Sequence, residues 1–150
     1  MEKKFELTDK FVFNTFGIKL FQIKCTKSFK YAKEGDLGGY VEKDENLDQE
    51  SDAWVYGDAQ VYGNARVYGD ADIENDNNHC GFDCFGSCNR HTHAYLTKDN
   101  KVEITCGCFR GSIEEFEKKV EKTHLGKIYE KQYKAIINAI KIKFGLTDLI

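Results

Sequence analysis

The sequence predicts an α+β fold. A short β-helix, or solenoid, of hexapeptide repeats is capped by an N-terminal β-hairpin and by a C-terminal β-hairpin with two α-helices. Three observations predict this: a six-residue period across residues 53–76, a pair of Phe- and Ile-rich segments before it, and two segments of helical periodicity beyond Gly111. In steps of six the repeat reads Ala53-Trp-Val-Tyr-Gly-Asp, Ala59-Gln-Val-Tyr-Gly-Asn, Ala65-Arg-Val-Tyr-Gly-Asp and Ala71-Asp-Ile-Glu-Asn-Asp. Aliphatic residues recur at Val55, Val61, Val67 and Ile73, two places after each alanine.

Six residues is neither the helical period nor a heptad. It suits short parallel strands joined at tight corners, with the aliphatic side chain pointing inward and alanine where nothing larger fits. Gly followed by Asp or Asn supplies the unusual backbone angles of such a corner. The pattern resembles the hexapeptide-repeat left-handed β-helix, and many proteins of that class are acyltransferases. A run of hairpins would instead need separate two-residue turns. A weaker echo places Val41 and Leu47 at the alanine positions, so the stretch allows about two coils, fewer than a free-standing solenoid needs. The chain therefore reads as a single domain over 1–150: an N-terminal cap (1–40), the hexapeptide β-helix (41–76), a Cys/His-rich segment with a hairpin (77–111) and a two-helix cap (112–150).

In order, residues 5–13 and 17–24 read as two strands around Asn14-Thr-Phe-Gly17, a sequence that favours a hairpin turn. A basic stretch from Lys27 to Lys33 leads to an entry bend at Asp36-Leu-Gly-Gly-Tyr40. Asp44 to Asp52 is an imperfect first coil or a loop. After a linker at Asn75–Asn78 and a short segment from His79 to Cys88, residues 91–97 and 102–109 form a hairpin turning at Asp99-Asn100. Ser112-Ile-Glu-Glu115 fits a capping box, in which the Ser hydroxyl and Glu carboxylate satisfy free amides of the first helical turn. Ile113, Phe116 and Val120 line one face of that helix, which stops near Gly126. Tyr133, Ile136, Ile137, Ile140 and Phe144 form the stripe of a second helix from Ile128, ended by Gly145. Both stripes read as packing faces.

One hundred and fifty residues suit one compact domain. Neither a secretory signal nor an apolar run of membrane-spanning length is visible, so the cytoplasm is expected. Six cysteines in that compartment argue for metal or reduced thiols before disulfides. The net charge of −3 hides a division. Residues 34–76 hold thirteen Asp or Glu against two basic residues, Lys43 and Arg66. Residues 1–33 hold eight Lys against three acids, and residues 98–143 eleven basic residues against seven acids. Asp44, Glu45, Asp48, Asp52, Asp58, Asp70, Asp72 and Asp76 are thereby the candidate partner-binding surface, one that competes with nucleic acid for a basic cleft. A solvated surface of no further function is the plainer reading.

The chemical signal lies in His79, Cys80, Cys84, Cys88, His91, His93, Cys106 and Cys108. If Asp99 and Asn100 are the two central turn residues, His93 faces Cys106 and His91 faces Cys108, with Cβ atoms roughly 5 Å apart. A register slip of one residue would turn the two sets to opposite faces. Zinc takes four Cys or His ligands in a tetrahedron, and such closed sites stabilise small domains. A structural zinc is therefore expected on Cys80, Cys84, Cys106 and Cys108, with His93 and Cys88 as substitutes. Buried thiols beside solvent histidines are the alternative. No phosphate-binding loop, no Ser nucleophile elbow and no His within residues 41–76 support an enzyme.

Gly-Asp-Leu-Gly-Gly-Tyr-Val at 35–41, the Val-Tyr-Gly-Asp/Asn repeats, Gly-Cys-Phe at 107–109 before Ile113-Glu-Glu-Phe116, and Lys122-Thr-His124 together resemble proteins encoded by phages and prophages of Gram-positive bacteria. The resemblance spans most of the chain. It implies a phage accessory protein, and some small proteins of such loci are anti-CRISPR inhibitors of a Cas nuclease, metal-containing examples among them. The expectation is thus a non-enzymatic inhibitor of a type II CRISPR effector nuclease that binds the protein and not nucleic acid or membrane. A hexapeptide acyltransferase and a phage structural or assembly protein are the alternatives. Exposed strand edges at the ends of a short coil further suggest a homodimer.

Overall fold

The computed structural model describes residues 2–146 and contains ten strands in three sheets, followed by two helices. The strands are β1 (Phe5–Phe13), β2 (Lys19–Cys25), β3 (Leu37–Val41), β4 (Trp54–Val55), β5 (Gln60–Val61), β6 (Asp72–Ile73), β7 (His79–Phe85), β8 (Arg90–Leu96), β9 (Val102–Cys106) and β10 (Phe109–Ser112). The helices are α1 (Ile113–His124) and α2 (Ile128–Lys143).

The expected β-helix, or solenoid, is not the fold. Most strand pairing is antiparallel, and the sheets run β1-β2-β3-β5, β10-β9-β8-β7 and β4-β6. Within the repeat only β4, β5 and β6 form, each of two residues, and they belong to two different sheets. The cause lies in β3, whose one edge is held antiparallel by β2 while the other takes β5 in parallel. The second strand of the repeat, β5, is thereby drawn into a mixed sheet with the N-terminal hairpin, and a repeat of this length has too few neighbours to propagate by itself. Its inward pattern nonetheless builds the core. Ala53, Ala59, Ala65, Ala71, Val55, Val61, Val67 and Ile73 are all sealed from solvent, around Phe5, Ile23, Leu47 and Trp54.

Local chemistry explains the flanks. The Asn14 side chain accepts from the amides of Phe16 and Ile18, and Gly17 takes a left-handed φ of 79° to close the β1–β2 turn. Lys4 is buried and donates through Nζ to the carbonyls of Ser51 and Ala53, tying β1 to the loop before β4. Burial pushes its ammonium down to about 8, against the pull of Asp48 and Asp52. Ser112 caps α1 and exchanges hydrogen bonds with Glu115. Ile113, Phe116 and Val120 of α1 pack with Tyr133, Ile136, Ile137 and Ile140 of α2 in a second core.

The β8–β9 hairpin corrects the expected register. Thr92 faces Cys106 and His93 faces Thr105, one residue away from the expected pairing of His93 with Cys106. Thr97 and Lys101 close the turn and Asn100 sits at φ 60°, which makes a three-residue loop of Lys98, Asp99 and Asn100. Because strand side chains alternate, this one step sends His91, His93, Tyr95, Glu103 and Thr105 toward the repeat segment. Ala94, Ile104 and Cys106 go toward the helices.

Candidate functional site

Residues 79–85, within the short segment expected from His79 to Cys88, form edge strand β7 against β8. Alternation puts His79, Gly81 and Asp83 on the face that carries His91 and His93 of β8. These side chains join into one hydrogen-bonded row. His79 Nε2 lies 3.1 Å from Asp76 Oδ1, and its Nδ1 lies 2.9 Å from His93 Nε2. His93 Nδ1 lies 2.9 Å from His91 Nε2, whose Nδ1 lies 2.5 Å from Asp83 Oδ1. Asp76 also accepts from the Gln60 amide of β5, so the row connects the repeat segment to the C-terminal sheet.

Proton counting limits how this row can be bonded. Its four hydrogen bonds need four ring protons, whereas three neutral imidazoles carry three. Three neutral imidazoles therefore leave one of the four contacts without a proton to share. Burial, then the neighbouring His79 and His91, holds the pKa of His93 well below the ordinary histidine value. Burial opposes the Asp76 carboxylate, but the hydrogen bonds from His79 and the Gln60 amide outweigh it and keep its pKa below the usual range. Gly81 is what lets the rings lie there. A Cβ on it would stand 2.6 Å from His91 Cε1 and 2.7 Å from His93 Nδ1. Beside the row opens a cavity of about 360 Å³, walled by Asn14 and Thr15 of the β1–β2 turn and by Gln60 and Tyr62.

The cysteines gather elsewhere. Cys106 is buried on the helix side, where its sulfur accepts from the Thr92 hydroxyl at 3.3 Å and lies 3.7 Å from the Tyr133 hydroxyl. Cys88 and Cys108 are exposed on the adjacent β7–β8 and β9–β10 turns. All three line one cavity of about 270 Å³ with His124 and Tyr133. Arg90 bonds the Cys88 thiol and, with help from Ser87, draws its pKa down. Cys80 packs against the second core, where burial pushes its thiol up to about 11. Cys84 is exposed at a left-handed φ of 68°, inside the register shift that ends regular β7–β8 pairing. The expected ligand set is thus divided: Cys88, Cys106 and Cys108 share a cavity, Cys80 and Cys84 do not line it, and His93 lies on the opposite face of the sheet. Among the described residues, no group of three His, Cys, Asp or Glu side chains is arranged to hold a metal ion.

The expected acidic surface is divided too. Asp72 pairs with Lys98 at 2.9 Å, Asp44 with Lys3 at 3.7 Å, and Asp76 belongs to the histidine row. Glu45, Asp48, Asp52, Asp58 and Asp70 reach solvent, and among the described residues none of the five is in an ion pair within 4.0 Å. Sequence reasoning missed the row itself. The signal was present, since His91 and His93 share a strand face, and reading 79–85 as a strand would have added His79 and Asp83.

Among the described residues, no helix is long and apolar enough to cross a membrane. No family model matches the chain, and no curated protein matches it.

Proposed function

We propose that this protein is a non-enzymatic, phage-encoded inhibitor that acts in the bacterial cytoplasm by binding a host defence nuclease, with a type II CRISPR effector as the first partner to test. It binds the basic nucleic-acid channel of that partner through the acids of the repeat segment. The observation that supports the reading is the set of five solvent-reaching carboxylates, Glu45, Asp48, Asp52, Asp58 and Asp70, which have no ion partner among the described residues and lie within a stretch that has only two basic residues. Carboxylates left free of internal partners can neutralise the cations of a partner, which raises the association rate and makes binding sensitive to salt. The experiment is competition. Adding the protein to the purified nuclease–guide complex before target DNA lowers DNA loading in proportion to its concentration. Unchanged DNA loading at low ionic strength rejects this partner.

A further inference from the structure

The two basic residues of the acidic middle, Lys43 and Arg66, line the same cleft, and Arg90 of β8 lines it with them. We infer that this cleft is a binding site for a small phosphorylated anion, one carrying at least two negative charges. The inference is independent of the nuclease reading, since it concerns the one place in the acidic middle where positive charge collects.

The cleft holds about 480 Å³, within the range of small-molecule sites. Its three cations are exposed, and among the described residues none has a carboxylate partner within 4.0 Å. Two guanidiniums and an ammonium suit phosphate oxygens, because the guanidinium fork can donate twice to one phosphoryl group. Glu45, the one carboxylate in the lining, sits beside Arg66 and sets a limit on the ligand: it disfavours anions that fill the whole cleft.

The walls are fixed from inside the protein. The side chain of Asn46 is fully buried; it accepts from the Lys43 amide at 3.0 Å and donates to the carbonyls of Gly63 and Ala65 at 3.1 and 2.9 Å. One carboxamide thereby locks the backbone of Lys43 to the turn that leads into Arg66. The Thr105 hydroxyl then donates to the Arg66 carbonyl at 3.2 Å and joins this wall to β9. On the other side Arg90 lies across Gly107, where a Cβ would collide with its guanidinium. Gly107 sits at φ 58°, so the β9–β10 turn both demands glycine and leaves Arg90 its place. The backbone segments that carry the three cations are thus fixed around one opening, while the guanidiniums of Arg66 and Arg90 rest on Tyr68 and Cys88, neutral or weak partners that an anion can replace.

The test is calorimetric titration of the full chain with inorganic pyrophosphate, ADP and a single-stranded oligonucleotide at low ionic strength. Pyrophosphate and ADP are expected to bind saturably at one site. Arg66→Ala and Arg90→Ala should each weaken them about tenfold or more, as loss of a charge-assisted phosphate contact does. Both side chains are exposed, so the melting temperature of the unliganded variants should stay near that of the parent protein. Lys43→Ala serves as the third variant if either arginine change disturbs folding. Absence of saturable binding overturns the inference, as does equal affinity in Arg66→Ala/Arg90→Ala. Tighter binding of the oligonucleotide than of ADP overturns it as well, because the site would then follow a polymer backbone.

Discussion

The buried carboxamide of Asn46 lies 2.9 Å from the carbonyl of Ala65, and its oxygen takes the amide of Lys43 at 3.0 Å. One side chain thus bridges the entry to the repeat segment and a turn within it. Asn46→Ala leaves these backbone groups without their partner in an apolar interior, which costs about 2–3 kcal/mol. The expected result in urea is a lower midpoint with an unchanged slope. A midpoint equal to that of the parent protein would show that water replaces the amide.

The histidine row predicts a pH dependence. His93 binds its proton less readily in the folded protein than in the unfolded chain, so the unfolded state takes up more protons as the pH drops. Stability supplied by this group is complete above about 6.5, the ordinary histidine value. It is lost as pH falls below that value toward the lower folded one. The groups facing His93 are His79 and His91, and these in turn meet Asp76 and Asp83. His93→Leu should lower stability at pH 7.5 by about 1–3 kcal/mol, through the unpaired nitrogens it leaves behind. It should also flatten the slope of stability between pH 5 and 7, measured by urea unfolding at several pH values. An unchanged slope would remove His93 as the titrating group.

Gly81 should tolerate no side chain. Gly81→Ala brings a methyl carbon against His91 and His93 and forces the rings apart, at a cost of about 1–3 kcal/mol. His91→Ala vacates part of that space. Adding it to Gly81→Ala should therefore cost less than the sum of the single changes. Additive losses would show that the glycine acts through its backbone alone.

The thiols are expected to fall into two classes. Cys84, Cys88 and Cys108 are exposed and should react with a thiol reagent in the native protein, Cys88 fastest because Arg90 stabilises its thiolate. Cys25 and Cys106 are buried and should react only on unfolding. The same experiment with a chelator, accompanied by elemental analysis, tests the zinc expected on Cys80, Cys84, Cys88, His93, Cys106 and Cys108. Since these residues are divided between the two faces of a sheet and an exposed bulge, the chelator should leave the native reactivity unchanged. Release of zinc together with newly reactive thiols would contradict this division.

Legibility followed local determinants. The capping box at Ser112, the helical stripes from Ile113 to Ile140 and the turn at Asn14-Thr-Phe-Gly17 are each decided within a few residues, and each could be read directly. The inward set of the repeat was legible for the same reason, since Ala and Val alternate with polar residues. What the repeat builds was not. The antiparallel hold of β2 on β3 is a pairing between distant segments, and nothing in the six-residue period announces it. The site failed on a single residue. A turn of three residues in place of two moved His93 from Cys106 to Thr105, and this separated the imidazoles from the thiols.

The acidic surface is tested most directly by the salt dependence of binding between this protein and a purified type II CRISPR effector nuclease. The comparison is with a variant in which Glu45 is changed to Gln and Asp58 and Asp70 to Asn, leaving Asp48 and Asp52 in place to support the charge of buried Lys4. The parent protein should bind with an affinity that falls steeply as salt is raised over the range where screening takes hold, about 0.01–0.15 M. The variant should bind more weakly at low salt and show a shallower dependence, while its melting temperature stays close to that of the parent. Equal affinity and equal salt dependence of the two proteins would contradict the acidic surface as the binding face.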